Sequence, residues 1–60
     1  MKNFKDKFLE ALREGTLTPI ELATRLRLPL HYVRYELSML EEEGLVEYDL
    51  ATEKWRISRK

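Results

Sequence analysis

The chain has 60 residues, no cysteine, and eleven basic side chains against eleven acidic ones. Sixty residues build one small hydrophobic core and leave no room for a deep substrate cleft, and the lack of cysteine excludes a disulfide framework and a Cys-based zinc site. No apolar run approaches the roughly 18 residues of a membrane span, and the first six residues lack a secretory apolar stretch, so we expect a cytoplasmic protein with no membrane partner.

The first predicted element is a helix from about residue 4 to 14. Asn3 suits its N-cap and Gly15 its C-terminal stop. Four apolar residues recur there at helical spacing, namely Phe4, Phe8, Ala11 and Leu12. We expect this helix to serve as scaffold.

A second, short helix is predicted to begin at Pro19. Thr18 at the N-cap, proline at the first helical position and Glu21 three residues after the cap form a capping box. Thr16 and Leu17, just before it, are expected to form a very short strand. The helix should end at Arg27-Leu28-Pro29, because the residue before a proline is disfavoured in the α region. Its predicted buried side consists of Ile20, Leu22, Ala23 and Leu26.

A third helix is predicted from about Leu30 to Glu43, with Gly44 as a left-handed cap. At about 100° per residue, one side should face the core and the other should face solvent. The inward residues are Val33, Leu37 and Leu40. The outward residues are His31, Tyr35, Ser38 and Glu42, with Arg34 on one flank and Tyr32 and Met39 on the other.

After Gly44 the apolar period changes from helical to two. Val46 and Tyr48 alternate with acidic residues, and Trp55 and Ile57 alternate with polar ones. Two such runs predict a β-hairpin over about 45–58. Residues 50–53 form the connection, and Asp49 is suited to start its turn.

This order of elements resembles the winged helix-turn-helix superfamily. Three segments carry the resemblance, over about two-thirds of the chain: Thr18-Pro19-x-Glu21-Leu22-Ala23, Tyr32-Val33-Arg34-x-x-Leu37-x-x-Leu40-Glu41-x-x-Gly44-Leu45-Val46, and Trp55-Arg56-Ile57. The resemblance implies an α+β, mostly α fold. It would be a three-helix winged helix-turn-helix with a C-terminal β-hairpin wing, as one domain over residues 1–60.

Within that superfamily the chain is similar to short regulators such as the fimbrial-operon type. Pro29 and Trp55 also resemble the left-handed-DNA binding domains. Arg34 and Ser38, however, stand where those domains keep a characteristic asparagine and tyrosine. Specificity for left-handed DNA is therefore not carried over to this chain.

The function that follows is sequence-specific binding of double-stranded DNA by a small transcriptional regulator, with the third helix in the major groove. The zero net charge of the chain counts against non-specific binding of polyanions. It does not exclude sequence-specific DNA binding, because that depends on where the charges lie on the surface. The candidate contacts on the third helix are His31, Arg34, Tyr35 and Ser38. The candidates flanking the groove are Arg25 and Arg27, and those on the wing are Lys54 and Arg56.

Several of these residues have a second interpretation. Arg25, Arg27 and Arg34 also suit ordinary surface charge, and His31 a surface or capping role. Trp55 is expected to pack on the core edge rather than to stack on a base. Tyr32 and Met39 either pack under the first helix or, with Tyr35, form a protein-binding surface.

The sequence bears on three functional classes: a DNA-binding regulator, a protein-interaction module and an enzyme. The alternative to DNA binding is a winged-helix protein-interaction module that uses Tyr32, Tyr35 and Met39. A homodimer would suit the DNA-binding regulator, because pairing doubles the site that one small domain reads, and the first helix or the tail would then supply the contact. No nucleophile and base pair, glycine-rich phosphate loop or metal set is present, so we expect neither an enzyme nor a cofactor or metal. Absent glutamine and abundant charge are typical of thermophilic proteins.

Overall fold

Three helices are followed by a two-stranded antiparallel sheet in the computed structural model, which describes residues 3–59. Met1, Lys2 and Lys60, which the predicted domain includes, lie outside the described residues. The fold is α+β and mostly helical, and this layout is consistent with a winged helix. The elements are α1 (Phe4–Arg13), α2 (Pro19–Leu26), α3 (Leu30–Glu42), β1 (Val46–Asp49) and β2 (Lys54–Ile57).

The first two helices begin with the predicted side-chain caps. The Asn3 side chain accepts a hydrogen bond from the backbone N–H of Asp6 at 2.9 Å. Thr18 Oγ1 accepts from the Glu21 N–H at 3.1 Å, and Glu21 Oε1 accepts from the Thr18 N–H at 2.8 Å. These bonds satisfy N–H groups that a helix start leaves without an intrahelical partner. Both predicted helix starts are confirmed.

Residues in the left-handed backbone conformation lie at the C-terminal ends of α2 and α3. Arg27, with φ 59°, closes α2, and the Leu28 N–H then donates to the Ala23 carbonyl at 3.0 Å. Gly44, with φ 78°, follows α3 and confirms the predicted cap. Its N–H donates to the Glu41 carbonyl at 2.9 Å, which is the usual way such caps satisfy the last carbonyls.

One hydrophobic core lies between the helices and the inner side of the hairpin. Its buried members are Phe8, Ala11, Leu12, Leu22, Val33, Leu37, Leu40 and Val46. The predicted inward side of α3 is therefore confirmed. The prediction that Ile20 is buried is wrong, because its side chain is 63% exposed. Two residues along a helix turn the chain by about 200°, so Ile20 and the fully buried Leu22 point in nearly opposite directions.

The predicted hairpin forms with Val46 paired to Ile57 and Tyr48 paired to Trp55. Asp49 starts the turn as expected, since its Oδ1 accepts from the Ala51 N–H at 3.0 Å. The predicted short strand before α2 is a single bridge, in which Leu17 and Trp55 exchange two backbone hydrogen bonds of 3.0 and 2.8 Å. The hairpin is thereby fixed to the segment that leads into α2.

Candidate nucleic-acid interface

An open groove of about 670 Å³ lies between α3, the start of α2 and the hairpin. The α2 side of the groove is formed by Thr18 and Pro19. Arg34 and Ser38 line it from α3. The hairpin lines it with Tyr48, Trp55 and two residues of the turn, Thr52 and Glu53. The groove is therefore bounded by two helices and the hairpin.

Arg34 and Ser38 are the two predicted contact residues that the fold places together in this groove. Four positions apart on α3, they lie on the same flank of the helix, one turn from each other. Both side chains are exposed. Among residues 3–59, the Arg34 guanidinium has no hydrogen bond or ion pair. Its five donors are therefore available to a ligand.

His31 and Tyr35 lie beside the groove, on the side of α3 that faces solvent. Both are exposed, and the Tyr35 side chain is 61% exposed. The spacing of α3 therefore presents all four predicted contact residues outward, and of these Arg34 and Ser38 line the groove while His31 and Tyr35 do not.

The hairpin wall of the groove is aromatic. The rings of Tyr48 and Trp55 lie 5.3 Å apart, tilted by 58°. Trp55 packs against the core, as predicted, while Tyr48 is more exposed. Tyr48 is not among the predicted site residues. The strand register pairs Tyr48 with Trp55, and the packing of the hairpin toward α3, which no local pattern of the sequence indicates, brings Tyr48 to the groove.

The outer side of the hairpin carries charges that neutralise each other. Arg56 Nε donates to Glu47 Oε2 at 2.7 Å, and its Nη1 lies 3.4 Å from Asp49 Oδ2. This hydrogen bond from Arg56 lowers the pKa of Glu47, and the Ala51 backbone N–H, with Arg56 adding to it, lowers the pKa of Asp49. The guanidinium of this predicted wing contact is thus already engaged within the sheet.

Lys54 begins β2 directly opposite Asp49. The positive charge of Lys54 also contributes to the lowered pKa of Glu21, after the larger effect of the Thr18 backbone N–H. Carboxylates therefore bind one of the predicted wing cations, Arg56, and lie near the other, Lys54. The hairpin offers a phosphate less uncompensated charge than the sequence pattern suggested.

The two predicted cations of α2 lie apart from the groove. Arg25, in the last turn, forms an ion pair with Glu14 at the end of α1. Arg27 is exposed at the left-handed end of α2. Neither residue lines the groove that holds Arg34.

The far flank of α3 meets α1. Tyr32 is half-buried there, its ring edge-on to Phe4 at a centroid distance of 5.8 Å. Burial is the main cause of the raised pKa of the Tyr32 hydroxyl. Met39 on the same flank remains 38% exposed. Tyr32 therefore packs under the first helix, while Met39 and Tyr35 face solvent.

No helix within residues 3–59 is long and apolar enough to cross a bilayer. No protein-family model, curated protein or solved structure matches the chain.

Proposed function

We propose that this protein binds double-stranded DNA in a sequence-specific manner as a small transcriptional regulator. The outer side of α3 enters the major groove, and the hairpin lies as a wing over the flanking backbone. An α-helix fits the major groove of B-DNA, and residues near its N-terminus then reach base edges.

The observation that supports this proposal is the state of Arg34. Its guanidinium is exposed and unpaired among the described residues, and it shares the groove with the Ser38 hydroxyl. Arginine makes a bidentate contact with guanine O6 and N7, the commonest specific contact to a base. A serine hydroxyl one turn away donates to a base or to a phosphate.

The ion pairs of the hairpin support only a minor part for the proposed wing in phosphate binding. Arg56 is held by Glu47 and Asp49, and Lys54 lies opposite Asp49. Affinity should then depend mainly on contacts from α3, with few phosphates neutralised. Because each neutralised phosphate contributes about 0.9 to the slope of log affinity against log salt, we expect a shallow slope of about −1 to −3.

A fluorescence-anisotropy titration against mixed duplex DNA, repeated at several salt concentrations, tests the proposal. Arg34→Ala should weaken specific binding by about 1–3 kcal/mol. Arg13→Ala, which removes an exposed arginine from the last turn of α1, is the matched control and should leave the affinity within about twofold. Equal affinity of Arg34→Ala and the parent chain, with no dependence on salt, would contradict DNA reading by α3.

A second candidate function is protein interaction through the solvent-facing side of α3. Tyr35 is 61% exposed and Met39 is 38% exposed, and Phe4, whose ring contacts Tyr32 on the same helix as these two residues, is 45% exposed. Exposed apolar side chains that cluster in this way are typical of protein interfaces. In this case Tyr35→Ala should abolish a protein contact, while Arg34→Ala should leave affinity for mixed duplex DNA unchanged.

A further inference from the structure

We propose that the solvent-facing side of α3 pairs with the same side of α3 in a second copy of this chain, with the two helices antiparallel. This inference rests on the protein-interaction candidate rather than on DNA binding. The partner is a second copy of the chain, because the solvent-facing side of α3 is complementary to itself.

The first observation is the spacing of the outward residues. His31, Tyr35, Ser38 and Glu42 follow one another at intervals of four, three and four positions, which is the spacing that keeps a stripe on one side of a helix against another helix. All four side chains are exposed, and none has a hydrogen bond or ion pair with another of residues 3–59. The stripe is therefore ordered by its helix and open to a partner.

The second observation is the order of chemistry along that stripe. When the stripe is laid antiparallel against itself, His31 meets Glu42 of the second copy, and Tyr35 meets Ser38 of the second copy. An imidazole and a carboxylate form a hydrogen bond, as do two hydroxyl groups. Twofold symmetry makes each of these contacts twice, which is the rule for a dimer interface built from one surface patch.

The flanks of the stripe are complementary in the same arrangement. Arg34 and Glu41 share one flank of α3, both of them exposed. At a rise of about 1.5 Å per residue, the antiparallel register brings Arg34 within about 3 Å along the axis of Glu41 in the second copy. On the other flank, the exposed Met39 of each copy lies about 3 Å along the axis from the half-buried Tyr32 of the other copy, whose ring also contacts Phe4 of its own α1. One flank thus gains two ion pairs, and the other gains apolar contact.

The charge polarity of α3 selects the antiparallel orientation. His31 and Arg34 lie in its first two turns, whereas Glu41 and Glu42 lie in its last. A parallel pair would place the glutamates of both copies together, and like charges at close range are destabilising. The antiparallel pair places Glu41 and Glu42 of each copy against Arg34 and His31 of the other, while Glu36 lies on the opposite flank beside Tyr32.

This pairing covers Arg34 and Ser38, the two residues that the proposed DNA site needs. A duplex and a second copy therefore compete for one surface, and self-association would hold the DNA-reading side of α3 closed. Dimer formation can be tested independently of DNA binding, because the mass of the protein in solution is measured without any DNA present.

Sedimentation equilibrium of the full chain over a range of concentrations tests the inference. We expect a monomer–dimer equilibrium in which Arg34→Glu weakens association about tenfold, since the reversal acts at both symmetric pairs. Glu41→Arg should weaken it similarly. The chain carrying both R34E and E41R restores opposite charges across the interface and should recover association to within about threefold of the parent.

Arg13→Glu, a reversal of the same size on α1, is the control and should leave the association constant unchanged. Circular dichroism of each variant shows whether the helices are retained. A monomer at every concentration would overturn the inference, as would a dimer indifferent to both single reversals or a double variant no better than either one. None of these outcomes touches the DNA titration, which is run on dilute protein and depends on Arg34→Ala.

Discussion

The α3 helix and the hairpin both have one side in the core and one side in solvent. Their inner sides are both apolar and buried, whereas the charged residues on their outer sides differ in whether they are paired. Leu37 of α3 and Val46 of β1 are buried in the same hydrophobic cluster. On the outer side of the hairpin, Arg56 is held by two carboxylates, whereas Arg34 on the outer side of α3 has no partner within residues 3–59.

The reason for this difference is the geometry of the two elements. Directly opposite residues of an antiparallel pair have Cβ atoms about 5 Å apart, so alternating acidic and basic strands neutralise each other. On a helix only residues three or four positions away are neighbours. None of those positions around Arg34 is acidic, since they hold Leu30, His31, Leu37 and Ser38. A sheet therefore tends to use its charges internally, and a single helix leaves them for ligands.

The inner side of α3 should show the largest effect on mutation. Leu37 is 1% exposed, so Leu37→Ala removes buried methyl groups and leaves a cavity, at a cost of about 2–5 kcal/mol in the free energy of unfolding. Tyr35→Ala, on the outer side of the same helix, should cost less than about 1 kcal/mol. Urea denaturation followed by circular dichroism measures both. Equal losses would show that the two sides of α3 do not differ in burial.

The outer sides should differ in their effect on DNA affinity. Arg56→Ala removes a guanidinium that Glu47 already engages, so affinity for duplex DNA should change less than about threefold, compared with a loss of about 1–3 kcal/mol for Arg34→Ala. Anisotropy titrations of both variants at one salt concentration make the comparison. A greater loss of DNA affinity with Arg56→Ala than with Arg34→Ala would show that the principal DNA contact lies on the hairpin and not on α3.

The start of α2, which borders both regions at the groove, should show a smaller stability effect. Thr18→Ala removes the side-chain oxygen that caps α2 and should lower the free energy of unfolding by about 1 kcal/mol. Thr18→Ser keeps that oxygen and should stay within about 0.5 kcal/mol of the parent. Thermal unfolding of the two variants gives the difference, and an equal shift for both would indicate that the lost methyl matters instead of the cap.

The smallest expected effect is a pH dependence that belongs to the hairpin alone. The pKa of Glu47 is lowered in the folded protein, chiefly by its hydrogen bond from Arg56. The unfolded chain takes up this proton at higher pH, near the ordinary value of about 4.3, so the stabilisation is present above that pH and is lost as pH falls through the lowered pKa.

Glu47→Gln and Arg56→Gln should each flatten the fall in unfolding free energy on the acid side, as measured by urea denaturation at a series of pH values. An unchanged acid limb in both variants would show that this ion pair contributes nothing to the stability of the hairpin.

Local patterns predicted most of the fold and less of the candidate site. The cap at Thr18, the left-handed Gly44 and the alternation around Trp55 each depend on near neighbours, and the structure bears them out. Ile20 was placed wrongly because apolar character alone does not fix which way a residue faces on a short helix.

The pairing of Arg56 and the position of Tyr48 required the strand register, which depends on the turn and on packing. Periodicity assigned Arg56 to a side of the hairpin but did not show that Glu47 stands opposite it. Tyr48 lines the groove because the hairpin folds toward α3, a tertiary arrangement that no local pattern contains.

The two backbone hydrogen bonds between Leu17 and Trp55 are expected to form late in folding. They join the segment before α2 to the second strand, and contacts so distant in sequence carry the entropic cost of closing a long loop. Because α2 and α3 are consecutive in the chain and pack on each other, we expect their contact to form earlier. The groove beside α3 would then acquire its aromatic side after those two helices have packed.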